Sequence, residues 1–295
     1  MSYKTILPYV GGKQMVVKRL ARYFPLNMPA LGSPFIGGGS VEVRMAAQGL
    51  QVTAADACWE LATFWRVLLD DPVALESRLR SMMPIQYPLD PYREALREPP
   101  DDPVDVACLF YILIVCGFSH IIRGTGGSPI TTQDLNKNPE GLLERVRRFS
   151  CPNLSVEHLD CFAFLAKYPD LPLYCDPPYA NGSQGLYGFS EDLHSGFPHE
   201  VWRDALMAHG APWVQSYGDC EFIRELYAGC VFDEEQWKYG STNAGDNDVR
   251  NGYELVIRPP GSLPVTSLDR LRVQARKDAV TAHRRERERM SRLLW

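Results

Sequence analysis

Little in this 295-residue chain points to a metal, a disulfide framework or a membrane. Its eight cysteines (58, 108, 116, 151, 161, 175, 220 and 230) include no Cys-x-x-Cys pair, and most sit among apolar neighbours. That pattern lacks the spacing of zinc and redox sites and reads as buried thiols of a reducing compartment. No metal site is expected. The most apolar run, Val106 to Phe118, is shorter than the roughly 20 residues of a membrane span, so it reads as a buried helix. Met1-Ser2-Tyr3-Lys4 does not open a signal-peptide pattern, and a cytoplasmic protein without a membrane partner is expected. Basic charge is also in short supply. With 31 Lys and Arg against 36 Asp and Glu, the net charge of −5 argues against coating nucleic acid by charge alone, though it leaves room for a local basic groove. There is no internal repeat and no low-complexity segment. The length suits one large α/β domain with a smaller inserted one.

What is present is an ordered set of turns. After Tyr9-Val-Gly-Gly-Lys13, apolar residues Val16, Val17, Leu20 and Phe24 predict a helix over 14–24. Pro34-Phe35-Ile-Gly37-Gly-Gly39-Ser40 then opens a helix over 41–48, which closes at Gly49. A strand over 51–55 ends on Asp56, nineteen residues past Gly37. Strand, glycine turn, helix, strand and terminal acid make a β-α-β half, and an acid about 20 residues past the glycine turn can reach a ribose hydroxyl. From Trp59 the alternation stops. Helical patterns at 59–70, 73–82, 104–118 and 139–149 surround a proline-rich acidic break at 98–103 and a polar loop at 123–133. This block reads as an inserted recognition domain. Strands at 154–159, 171–175, 213–217, 231–237 and 253–258 alternate with helices at 161–168, 199–209 and 220–227, and the glycine-rich 180–196 reads as a mobile loop over a site.

The strand at 171–175 runs into Asp176-Pro177-Pro178-Tyr179. Two prolines fix their own φ and carry no N–H, so this corner offers carbonyl oxygens beside one carboxylate and one aromatic face. A flat hydrogen-bond donor fits it, and the exocyclic amine of a nucleobase is one: its N–H groups to Asp176 and a prolyl carbonyl, its ring on Tyr179. The same four residues also make an ordinary surface turn.

Taken in order, Tyr9-x-Gly-Gly-Lys13, Pro34-Phe35-x-Gly-x-Gly-Ser40, Asp56, a long insertion and Asp176-Pro-Pro-Tyr179 resemble the Dam-type, alpha-order DNA adenine-N6 methyltransferases, over nearly the whole chain to about residue 260. The resemblance implies an α/β fold: a Rossmann-like S-adenosylmethionine-dependent methyltransferase sheet (1–58 and 152–262), with an inserted, mainly helical target-recognition domain (59–151) and a basic helical tail (263–295). It implies transfer of a methyl group from S-adenosylmethionine to the N6 amine of adenine in double-stranded DNA after base flipping. Asp176, Pro177, Pro178 and Tyr179 would be the catalytic corner. Tyr9, Lys13, Phe35, Gly37, Gly39, Asp56, Asp160 and Asp176 would hold the cofactor, with Asp160 at its adenine amine. Neither N4-cytosine methylation, protein glutamine methylation nor a non-catalytic DNA-binding module of the same fold is excluded, although serine and asparagine are the commoner first residues of the first two corners. The chain departs from the family at Ser33, where an acid commonly precedes Pro-Phe, and the strand before it is poor in β-branched residues. The departure bears on cofactor affinity more than on fold.

Arg123, Thr125 and Ser128, with Thr131 and Thr132 nearby, have the residue types that contact phosphates and bases, and Lys238 and Arg250 could touch the backbone opposite. From Asp269 to Arg292 the tail holds nine Lys and Arg against four Asp and Glu. A solvated helix, a dimer contact and a DNA clamp all remain open for it, as does the oligomeric state.

Overall fold

The computed structural model describes residues 5–9, 12–13, 16–24, 28–117, 135–180, 196–238, 251–270 and 274, with the side chains of 236–238 and 251–253 outside that description. Seven strands form one sheet: β1 (Ala30–Ser33), β2 (Gln51–Asp56), β3 (Leu154–His158), β4 (Leu173–Cys175), β5 (Trp213–Gly218), β6 (Val231–Lys238) and β7 (Asn251–Arg258). Their order is β3-β2-β1-β4-β5-β7-β6. The first five are mutually parallel, and β7 lies antiparallel between β5 and β6. From β1 the chain winds outward through β2 to β3, then returns to lay β4 on the other side of β1. That reversal opens a crevice at the carboxyl ends of β1 and β4, the place where open α/β sheets take their ligands.

Strand β4 shows why the sheet is covered on both faces. Tyr174 joins one apolar cluster with Leu31, Val52, Ala54, Val214 and Val256, while Leu173 and Cys175 join a second with Trp213, Leu255 and Ile257. Alternate residues point to opposite faces, and here both sets are apolar, as doubly covered parallel strands require. Helices α8 (Cys161–Lys167), α9 (His199–Met207) and α10 (Glu221–Leu226) supply the second cluster.

The first cluster takes in α1 (Val17–Leu20), α2 (Ser40–Ala47), α3 (Trp59–Asp70), α4 (Pro72–Ser81), α5 (Asp90–Arg97), α6 (Pro103–Cys116) and α7 (Pro139–Arg147). α6 is buried from Val106 to Cys116, as a helix apolar on every side must be. α3 packs on α6 and on β3 together, so the helical block grows out of the sheet's own core. Among the described residues no helix is long and apolar enough to cross a membrane. No disulfide joins any of the eight cysteines.

Three expectations shift. Among its described residues, 16–24, the helix expected over 14–24 is α at Val17–Leu20 alone, because Arg22 and Tyr23 donate their N–H groups to Arg19 and Leu20, i→i+3 bonds that tighten the chain into turns. α5 had no counterpart in the sequence reading. β1 forms despite weak strand propensity: at Gly32 an added Cβ would lie 2.7 Å from Leu173, so the missing side chain is what lets β4 approach.

Candidate active site

The glycine turn after β1 is shaped by what lies beneath it. Gly39, the N-cap of α2, has φ +66°, and a Cβ there would fall 2.4 Å from the Trp65 ring. Trp65 of α3 also donates its indole N–H to the Gly37 carbonyl at 3.0 Å. Gly37 (φ +45°) lies against the Tyr9 ring, and Gly38 against the Tyr9 Cβ. Only glycine combines left-handed backbone with this closeness. Phe35 is held edge-on by Trp202 and Phe197, at 5.1 and 5.8 Å between ring centres.

These parts wall an open cleft of about 830 Å³, mouth included, on the scale of a nucleotide-sized ligand. Tyr9, Lys13, Phe35, Gly37, Gly39, Asp56, Asp176, Pro177, Pro178 and Tyr179 all line it, so the structure gathers ten of the sequence-predicted residues. Asp56 ends β2 and accepts from the Gly37 N–H (3.1 Å) and the Cys58 N–H (3.0 Å), and burial pushes its carboxyl up to about 6. Burial also holds the Cys58 thiol well above its usual range, so Cys58 is no nucleophile.

Asp176 is the hub. Lys13 Nζ lies 2.8 Å from its Oδ2, while Ser216 Oγ donates to Oδ1 at 2.8 Å and the Tyr179 hydroxyl reaches the same oxygen at 3.2 Å. A carboxylate has about four acceptor positions, and the single Tyr179 proton is shared with Glu254, so Asp176 keeps at least one position open. Glu254, in the middle of β7, sits behind this corner. It takes the Tyr179 hydroxyl at 2.7 Å and Lys13 at 3.4 Å, and its Oε2 is buried without a hydrogen-bond partner among the described residues. Burial raises Glu254 to about 7, against the pull of Lys13 and with the push of Asp176. The Lys13 ammonium also lies 5.1 Å from the centre of the Tyr179 ring.

Asp160 is placed elsewhere. It caps α8, with one carboxylate oxygen accepting the N–H groups of Phe162 and Ala163 at 2.8 and 2.9 Å, and it does not line the cleft. An N-cap oxygen satisfies helix-end donors, which is reason enough for an acid at this position. Arg123, Thr125, Ser128, Arg250, the Lys238 side chain and residues 181–195 lie outside the described residues. Sequence reasoning missed Glu254, Ser216, Glu42 and Phe197. For Glu254 a signal existed, since one charge interrupts the apolar run Tyr253-Glu-Leu-Val-Ile257.

A reversed-order parallel sheet, a glycine turn, an acid at the next strand end and an acid-proline corner across the switch point define a Rossmann-like methyltransferase. Comparison with known families narrows that class: the family model described as D12 class N6 adenine-specific DNA methyltransferase matches residues 9–242, and the chain belongs to that family. A curated relative, the type II methyltransferase M.CviBI of Paramecium bursaria Chlorella virus NC1A, is 26% identical over 271 residues, 86% of this chain and 99% of the relative. A solved S-adenosylmethionine-dependent methyltransferase from Agrobacterium tumefaciens is 14% identical with a TM-score of 0.34; the match covers 84% of this chain and 62% of that one, a likeness too loose to bear on the site.

The protein is therefore an adenine-specific DNA methyltransferase, and S-adenosylmethionine is its methyl donor. Among the readings left open by the sequence, the family selects adenine over cytosine or glutamine and an enzyme over a binding module. The cleft fits that donor: the glycine cradle has no room for side chains, and Asp56 is already oriented by two backbone N–H groups.

Proposed function

We propose that this chain methylates adenine in double-stranded DNA after the base has left the stack, with Asp176, Pro177, Pro178 and Tyr179 as the receiving corner. One observation carries the reading: Asp176 stands at the switch point with Lys13, Ser216 and Tyr179 converging on it, beside the glycine cradle. The adenine amine is a weak nucleophile because its lone pair is delocalised into the ring. Asp176 and the Pro177 carbonyl accept its hydrogens, which returns electron density to nitrogen, and the Tyr179 ring holds the base plane. Catalysis is then chiefly positioning. Tyr9, Lys13, Phe35, Gly37, Gly39 and Asp56 hold the methyl donor, whose sulfonium supplies the leaving group. An adenine inside a duplex cannot enter a cleft walled this way, so the base must flip.

The helical block after α3 is assigned to target recognition, and the basic residues beyond 270 to the DNA backbone. α3 itself belongs with the catalytic sheet, because Trp65 supports the glycine turn. The test places 2-aminopurine at the target adenine of a cognate duplex. Fluorescence rises on binding if the base is flipped. Unchanged fluorescence in a sequence whose adenine counterpart is methylated at that position overturns the flipping step.

A further inference from the structure

The cleft carries an unequal set of charges. Glu42, Asp56 and Asp176 line it and Glu254 lies just behind Tyr179, against a single cation among the described residues of the wall, Lys13. Lys13 is shared between Asp176 and Glu254. Asp56 is satisfied by two backbone N–H groups. Glu42 differs from all of these. Its residue is 2% exposed, its side-chain donor is the neutral hydroxyl of Ser33 at 2.7 Å, and it stands in no ion pair among the described residues.

A carboxylate this deep is costly unless a positive charge joins it. Burial accordingly lifts Glu42 to about 7, and the charges that act on it across the cleft are Asp176, which raises it, and Lys13, which lowers it. Ser33, its hydrogen-bond partner, ends β1, which pairs through Gly32 with Leu173 of β4, and β4 runs into Asp176, so Glu42 stands toward the corner end of the cleft. The ribose end is marked by Asp56, the strand-end acid beyond the glycine turn. A methyl donor built as a nucleoside joined to an amino acid therefore has its zwitterionic arm to place between Lys13 and Glu42, one cation and one anion on the same wall.

We propose that Glu42, oriented by Ser33, is the counter-charge for the α-ammonium of the methyl donor's amino-acid arm. The inference rests on reading this cleft as the S-adenosylmethionine site. It also gives Ser33 a role: the position that the sequence leaves without an acid supplies a hydroxyl to an acid nine residues on.

The test is equilibrium binding by calorimetry of three probes to the full chain and to its Glu42→Gln variant. The probes are S-adenosylmethionine, S-adenosylhomocysteine and 5′-methylthioadenosine, the last keeping the nucleoside and sulfur but lacking the amino acid. The variant is expected to bind the first two about tenfold more weakly and the third unchanged. Ser33→Ala, which leaves the acid in place, should shift them the same way by less, and it decides the matter if Glu42→Gln does not fold. Three results overturn the proposal: undiminished binding of S-adenosylhomocysteine, an equal loss for 5′-methylthioadenosine, which would make Glu42 a structural acid, or a loss confined to S-adenosylmethionine, which would assign the charge to the sulfonium. Failure of the unsubstituted chain to bind any of the three overturns the cleft reading itself.

Discussion

Lys13 Nζ bridges Asp176 Oδ2 at 2.8 Å and Glu254 Oε1 at 3.4 Å, tying the first motif of the chain to the Asp-Pro-Pro-Tyr corner and to β7. Lys13 is 5% exposed and the two acids are 21% and 3% exposed, so solvent screens this trio weakly. Replacing Lys13 with Met leaves two close carboxylates without their cation. Removing one partner of a buried pair costs about 3 kcal/mol. Urea unfolding at pH 8 should show a loss of that order, partly recovered in Lys13→Met/Asp176→Asn.

Glu42 and Glu254, at about 7, and Asp56, at about 6, all have folded-state values above those of the unfolded chain. The folded protein therefore binds more protons than the unfolded one between roughly pH 4 and 7. The stability these acids contribute is full below their unfolded values and is lost as pH rises through the folded ones. Taken alone, they lower the melting temperature between pH 5 and 8, and Glu254→Gln should flatten that slope and raise the melting temperature at pH 8. Differential scanning calorimetry across the range measures both.

Gly39→Ala meets two obstacles, a φ of +66° and the Trp65 ring at 2.4 Å. The left-handed backbone alone costs about 1–2 kcal/mol. The melting temperature should fall and S-adenosylhomocysteine binding with it. Gly49→Ala is the control: it has φ +96° but nothing within 4 Å of the added carbon, so it should lose stability without losing ligand.

How far the site could be read beforehand follows the type of signal involved. Asp56, Gly37 and Asp176 were legible because motif and strand end coincide, and a parallel sheet brings strand ends together whatever its side chains. β1 was hard to read because its stability comes from Gly32 fitting under Leu173, a contact 141 residues away in sequence that outweighs local propensity. The roles of Glu42 and Glu254 were hidden for a related reason, even where, as at Glu254, the charge itself stood out. Each is an acid in an apolar stretch, and only the three-dimensional partners, Ser33 for one and Tyr179 with Lys13 for the other, explain it. Asp160, an acid just past the end of β3, caps α8, a contact that the strand-end position alone did not reveal.

Deleting residues 271–295 removes a basic segment and leaves the sheet intact, since the last strand ends at Arg258. If the segment touches the DNA backbone, affinity falls and the slope of log K against log salt becomes shallower. Filter binding at several salt concentrations checks this. An unchanged slope with a changed oligomeric mass assigns the segment to self-association.

Asp176 is the centre of the account. Asparagine there keeps the shape but turns one acceptor into a donor, and losing one such preorganised contact costs at least about a hundredfold in rate. The decisive measurement is single-turnover transfer from deuterated-methyl S-adenosylmethionine to duplex DNA, with the nucleosides identified by mass spectrometry, for the unsubstituted chain and Asp176→Asn. The account predicts labelled N6-methyladenine from the first, and from the second a rate lower by at least that factor with S-adenosylhomocysteine still bound. Comparable rates from the two proteins would contradict it.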